Sequence, residues 1–330
     1  MAYTTIDNPG EYFNTVLYTG NGSTQSITGV GFQPNWVWIK NRTAAENHFI
    51  FDSVRGALNV LKSNSDGSAG DTSDSLTAFT SDGFNLGNLA DTNRNGNAVA
   101  SWNWKETATA GFDIVAYTGN ATDGRTVAHS LSAVPAMMIV KNRDADIKWA
   151  VYHQKNTAAP ETDHLKLNTD DATADDDSTW NDTAPTSSVF SVGGSTSTNG
   201  DGTAYIAYLF AEKKGYSKFG SYAGNNNANG PFIYLGFKPA WLMVKKYTGA
   251  NHWIIWDNKR STKDGFNVID KKLYANLSHA ENGANDIDFK SNGFKLLTNT
   301  GDWNEAESYI YLAFAENPFV TSTGIPACAR

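Results

Sequence analysis

Three stretches of this chain carry the same pieces of text in the same order, and that periodicity constrains the fold more than any single motif. Tyr18-Thr-Gly-Asn21 returns as Tyr117-Thr-Gly-Asn120 and as Tyr222-Ala-Gly-Asn225. "NHFIFD" is followed by "IKWAVYH" and "NHWIIWD", and "SDGFNLG" by "SSVFSVG" and "SNGFKLL". Phe210-Ala-Glu212 recurs as Phe314-Ala-Glu316, so "FAEKKGYSKFGSYAGN" reads as an end joined to a beginning. The expected organisation is an arm at 1–14, modules at 15–108, 109–214 and 215–318, and a tail at 319–330.

Each matching piece reads as a strand. Pro34, Pro135 and Pro239 precede "NWVWIK", "AMMIVK" and "AWLMVK". Proline is tolerated where a strand begins. Four successive apolar positions follow in every copy, Trp36 to Ile39, Met137 to Val140 and Trp241 to Val244. A strand apolar on both faces is covered on both, by its own module or by a neighbour. Lys40, Lys141 and Lys245 are expected where the chain returns to solvent. The last strand, "YIYLAFAE", alternates: Tyr309, Tyr311, Ala313 and Ala315 share one face, and Ile310, Leu312 and Phe314 the other. Helical pattern is confined to residues 53–63 and, more weakly, 270–277. The fold class expected is all-β: three tandem repeats of about 100 residues, each a jelly-roll-like β-sandwich. An alternative is one assembly around a pseudo-threefold axis. The second copy carries a long polar insertion at 154–187, with Asp175-Asp176-Asp177 inside it.

Composition narrows the function classes. Charged residues make up 18% of the 330, below the roughly 25% of an average soluble protein. A net charge of -8 without a basic cluster argues against nucleic acid and against anionic membrane surfaces. The start of the chain has neither a basic end nor an apolar run, so no secretory signal or membrane insertion is expected. The single cysteine, Cys328, precludes an internal disulfide and a thiolate metal cage, and reads as an incidental thiol in a mobile tail.

The chain carries little that reads as catalytic chemistry. The six histidines form no HExxH or other zinc spacing, and there is no nucleophile elbow or phosphate loop. His48 and His252 read as solvated strand-end residues. Asp91 to Gly96 resembles half of an EF-hand loop, but position twelve is Trp102, so a hairpin turn accounts for it better. Glu106, Glu212 and Glu316 fall at one place in all three copies, which points to a common structural role. Glu305 and Glu307 read as hairpin-tip residues. No catalytic residue, metal site or cofactor is assigned. Most tryptophans lie in expected strands and read as core. Trp180 and Trp303 lie outside them, and with His164 they are the candidate surface contacts.

The text resembles a bacteriophage tail-fibre or virion-protein family, found as a domain of unknown function. The resemblance is carried by "EYFNTVLYTGNGSTQSITGVGFQPNWVWIKNRT", "DSVRGA", "SDGFNLG", "NTAPTSSVFSVG", "KFGSYAGN", "NGPFIYLGFKPAW", "NVIDKKLYANLS" and "YIYLAFAENPFVTSTGIPACAR". It implies a virion location after synthesis in the bacterial host cytoplasm, other virion proteins as partners, and a homo-oligomer, with a trimer favoured. Members often end longer fibres, whereas Met1 here stands just ahead of the first module, so independent docking on the particle is expected. Three functions follow as expectations. The first is a tail-associated adhesin touching a host-surface glycan or protein, and the second a purely structural virion component. The third is a polysaccharide depolymerase, which would need converging carboxylates.

Overall fold

The structure, a computed structural model, describes residues 2–263, 267–283 and 286–327; Cys328 lies outside the described residues. The protein is almost entirely antiparallel β. Among the described residues, no helix is long and apolar enough to cross a membrane.

Three large sheets share one strand order. In the first, the neighbours run Phe13–Thr19, Ala98–Trp104, Trp36–Asn41, His48–Asp52, Asn59–Lys62 and Gly70–Asp71. The second runs Phe112–Thr118, Ala204–Phe210, Met137–Asn142, Ala150–His153, Asp163–Lys166 and Ala174–Asp175. The third runs Ser217–Ala223, Ser308–Pro318, Phe237–Lys246, Ile254–Asp257 and Leu273–Tyr274. A smaller sheet of two to four strands faces each, and the three pairs are called units below. Register fixes which residues correspond. Trp104, Phe210 and Phe314 stand opposite Trp36, Met137 and Trp241, and these in turn stand opposite Asp52, His153 and Asp257.

The doubly apolar strands serve two cores at once. Val37 and Ile39 point into the core of the first unit, Met138 and Val140 into that of the second, and Leu242 and Val244 into that of the third. The alternate residues Trp36, Trp38, Met137, Ile139, Trp241 and Met243 all belong to one shared central cluster. The last strand obeys the same alternation, with Tyr309, Tyr311, Ala313 and Ala315 in its own unit and Ile310, Leu312 and Phe314 in the centre. Aromatic rings cross the junctions: Trp36 meets Tyr208 at 4.8 Å between centroids, Trp104 meets Trp241 at 5.6 Å, and Phe210 meets Phe314 at 6.0 Å. Each large sheet is therefore the middle layer of three, a sandwich wall on one side and part of the central core on the other.

Two segments differ from the helical expectation. Residues 53–63 form turns and the strand Asn59–Lys62, because Arg55 folds back onto Asp52 and left-handed Gly56 and Leu58 (φ 88° and 77°) end any helical turn. Within 270–277, Leu273–Tyr274 pairs with Ile254 and Ile255 as a strand. The 154–187 insertion is likewise built rather than loose. It adds Asp163–Lys166 and Ala174–Asp175 to the second sheet, and Asp176 caps the helical turn Asp177–Trp180 by accepting the Ser178 amide at 3.0 Å. Residues 319–327 turn back, with Val320 bridging to Pro326 and Ser322 donating to Asp7.

Candidate functional site

All ten tryptophans are buried, which removes the two chosen as surface contacts. Trp180 is 1% exposed and meets Tyr152 edge-on inside the second sandwich. Trp303, also 1% exposed, turns back from its loop onto Trp256 at 5.5 Å, with the Lys272 ammonium 4.2 Å over its ring. A polar turn exposes its backbone while its one large apolar side chain caps the sandwich end. His164 is half-buried on Asp163–Lys166; burial lowers its pKa, with Asp176 opposing the shift. Glu305 pairs with Lys246 at 2.9 Å and Glu307 accepts from Thr248 at 2.8 Å, so each clamps the 246–248 turn instead of facing a cleft. Among the described residues, no three His, Cys, Asp or Glu side chains are grouped to hold a metal.

Several of the buried charged residues lie at the seams between units. The three strand-end lysines do not return to solvent: Lys40, Lys141 and Lys245 are fully buried. Each ammonium donates to carbonyls, Lys40 to Asn41 (2.7 Å) and to Ser278 of the third unit (3.2 Å), Lys141 to Asn142 (2.7 Å), and Lys245 to Asn251 (2.6 Å) and to Asp170 of the second unit (3.0 Å). Burial pushes all three down to about 8. His48 stands at the start of its strand but is buried too, accepting from the Trp38 indole at 2.8 Å; burial holds it well below its ordinary range.

Corresponding residues meet across the seams in cyclic order. Asp52 of the first unit, paired with Arg55, accepts from the Tyr208 hydroxyl of the second at 2.7 Å. Asp257 of the third, paired with Arg260, accepts from the Trp102 indole of the first at 2.9 Å. Histidine stands at this place in the second unit. His153 bonds the Tyr311 carbonyl of the third at 3.1 Å, and Asn156 replaces the arginine. Burial depresses His153 to about 4, so it is neutral where its counterparts are ionic. The glutamates follow the same plan. Glu106 accepts the Ile114 amide at 3.2 Å and Glu212 the Phe219 amide at 3.4 Å, whereas Glu316 pairs with Lys238 at 2.8 Å.

Among the solvent-open features of the described residues, two combine apolar and polar groups at unit boundaries or rims. At the third–first seam a cavity of about 170 Å³ is lined by Phe13, Thr15, Ala240, Asn258, Ala315 and Glu316, among others. On the rim of the third unit, Phe232 and Tyr234 point outward from the edge strand Phe232–Tyr234 while Ile233 points into the core. Tyr3 joins them, its hydroxyl 3.4 Å from that of Tyr234, and Lys214 and Lys218 lie over the Tyr3 and Tyr234 rings. Sequence reasoning passed over these aromatics because a strand-like "FIY" gives no sign of which face is solvated when the strand is short.

A family model covers this architecture almost end to end, from residue 8 ahead of the first strand to residue 318 at the close of the last. The chain belongs to the family described as Domain of unknown function (DUF7483). No curated protein and no solved structure matches it. In this DUF7483 chain the three units share a common plan of contacts at their seams, and the third-unit rim and the third–first cleft are among the features found at one place.

Proposed function

We propose that this DUF7483 protein is a bacteriophage virion component, a tail fibre or tail-associated adhesin that contacts the host surface without catalysis. The observation that carries the contact reading is the rim patch. Phe232 and Tyr234 are nearly half exposed, at 46% and 49%, on a sheet edge, where exposed apolar side chains invite association unless they serve a purpose. The lysines over Tyr3 and Tyr234 fix the rings and add hydrogen-bond donors, a combination suited to a glycan or a protein surface. The resemblance to virion proteins supplies the setting, with other virion proteins as partners and a homotrimer as the favoured assembly.

The test is binding of labelled protein to host cells and competition with phage adsorption. We expect F232A/Y234A to weaken binding at least about tenfold, equivalent to ~1.4 kcal/mol, with an unchanged melting temperature. Absence of binding by the folded, assembled wild type favours the second reading, a structural virion component, for which the same patch is the docking face.

A further inference from the structure

We propose that the cleft at the third–first seam is a binding site for a neutral sugar ring. The inference does not depend on the host-contact reading, since it concerns a different part of the surface.

The units themselves provide the comparison. At the second–third seam, Gln154 of the second unit reaches across and donates to the Phe219 carbonyl at 2.8 Å. The residue following the strand-end Asp or His is Ser53 in the first unit, Gln154 in the second and Asn258 in the third. Register places Thr15 where the other units have Ile114 and Phe219. The third–first seam thus has a side chain one methylene shorter than glutamine on one wall and a small hydroxyl in place of a large apolar group on the other. A cavity of about 170 Å³ is the result.

That cavity is not sealed by its own polar groups. Thr15 Oγ1 and Asn258 Oδ1 are buried without a hydrogen-bond partner, and Thr15 is only 6% exposed. Unmatched buried polar atoms are costly, and here two of them line the same recess. Glu316 adds a carboxylate whose charge is balanced by Lys238 at 2.8 Å. The rest of the lining is mixed, with Phe13, Ala240 and Ala315 apolar and Asn8, Asn14 and Lys259 polar. The lining offers donors as well as acceptors, and Glu316 and Lys259 contribute opposite charges, so the complementary ligand is neutral overall and rich in hydroxyls, which donate and accept alike. Apolar and hydrogen-bonding groups in one recess suit the apolar faces and the hydroxyl rim of a pyranose. The volume lies below the roughly 300 Å³ at which drug-sized pockets begin, which suits a single ring.

The experiment uses the full chain, with D-glucose, D-galactose, D-mannose and N-acetyl-D-glucosamine as separate probes in saturation-transfer NMR, and thermal melting alongside. At least one probe should bind. N258Q should abolish that binding with a melting temperature equal to or above wild type, because the longer amide can span the cleft as Gln154 does. T15V, which keeps the shape and removes the hydroxyl, should weaken it about tenfold. No saturation transfer to any probe at tens of millimolar would overturn the proposal and leave solvent as the occupant. Binding that survives both substitutions would overturn it as well.

Discussion

At the scale of the residue, the repeated Tyr-x-Gly-Asn text proves to be a clasp. Tyr18, Tyr117 and Tyr222 donate their hydroxyls to the carbonyls of Thr92, Thr198 and Trp303 at 2.6 to 2.7 Å. The amides of Asn21, Asn120 and Asn225 bond the side-chain oxygens of Asn93, Asn199 and Asn304, which are fully buried. Glycine is required between them because a β-carbon at Gly20, Gly119 or Gly224 would overlap a carbonyl of the facing turn. Gly119→Ala is therefore expected to cost about 3 kcal/mol, the upper end of overpacking penalties, measured as a fall in the urea midpoint with unchanged slope. The sequence showed that the motif recurs but not why. Its partners, such as Asn199, lie about 80 residues away and are supplied by the turn before the closing strand.

At the scale of the element, the strand-end position shows how one architecture accepts two chemistries. Asp52 and Asp257 sit beside an arginine and a neighbouring donor, whereas the His153 ring bonds the Tyr311 carbonyl and accepts from the Lys155 amide, with no arginine beside it. Leu312, the counterpart of Tyr208 and Trp102, offers no donor to a carboxylate. His153→Asp should thus place an unpaired charge in the core and cost about 3–5 kcal/mol, read from chemical denaturation. Adding Asn156→Arg, the partner used by the other two units, should recover part of the loss. Failure of H153D to destabilise would mean that water reaches the site. Face assignment in these strands was legible, because alternation alone separates Ile310, Leu312 and Phe314 from Tyr309 and Tyr311. The burial of Trp180 and Trp303 was not legible, since a tryptophan in a polar turn has no neighbours in one dimension.

At the scale of the whole molecule, the central cluster ties the three units into one body, and the buried lysines set its response to pH. A lysine whose pKa falls from 10.5 unfolded to about 8 folded binds its proton less tightly in the native state. Below pH 8 the burial penalty is fully felt, and between 8 and 10.5 the unfolded chain holds more protons, so stability rises with pH. The limit is ~1.4 kcal/mol per lysine per pH unit. Above pH 10 the sign reverses, because burial holds Tyr117, Tyr208 and Tyr222 protonated while unfolded tyrosines ionise. Melting temperature should therefore climb from pH 8 to a maximum near 10. A flat profile there would show that the three ammonium groups are solvated.

The sequence by itself determined the all-β class and the repeated core strands with their faces, because alternation and turn chemistry are local and survive in one dimension. It did not determine what covers the second face of each large sheet, nor that Lys40, Lys141 and Lys245 are buried. A lysine at a strand end is solvated or buried according to whether carbonyls surround it, and Ser278 and Asp170, which supply them, belong to other units. The third–first cleft belongs to the same category. Thr15 and Asn258 are unremarkable polar residues in the text, and only their approach across a seam leaves both without a partner.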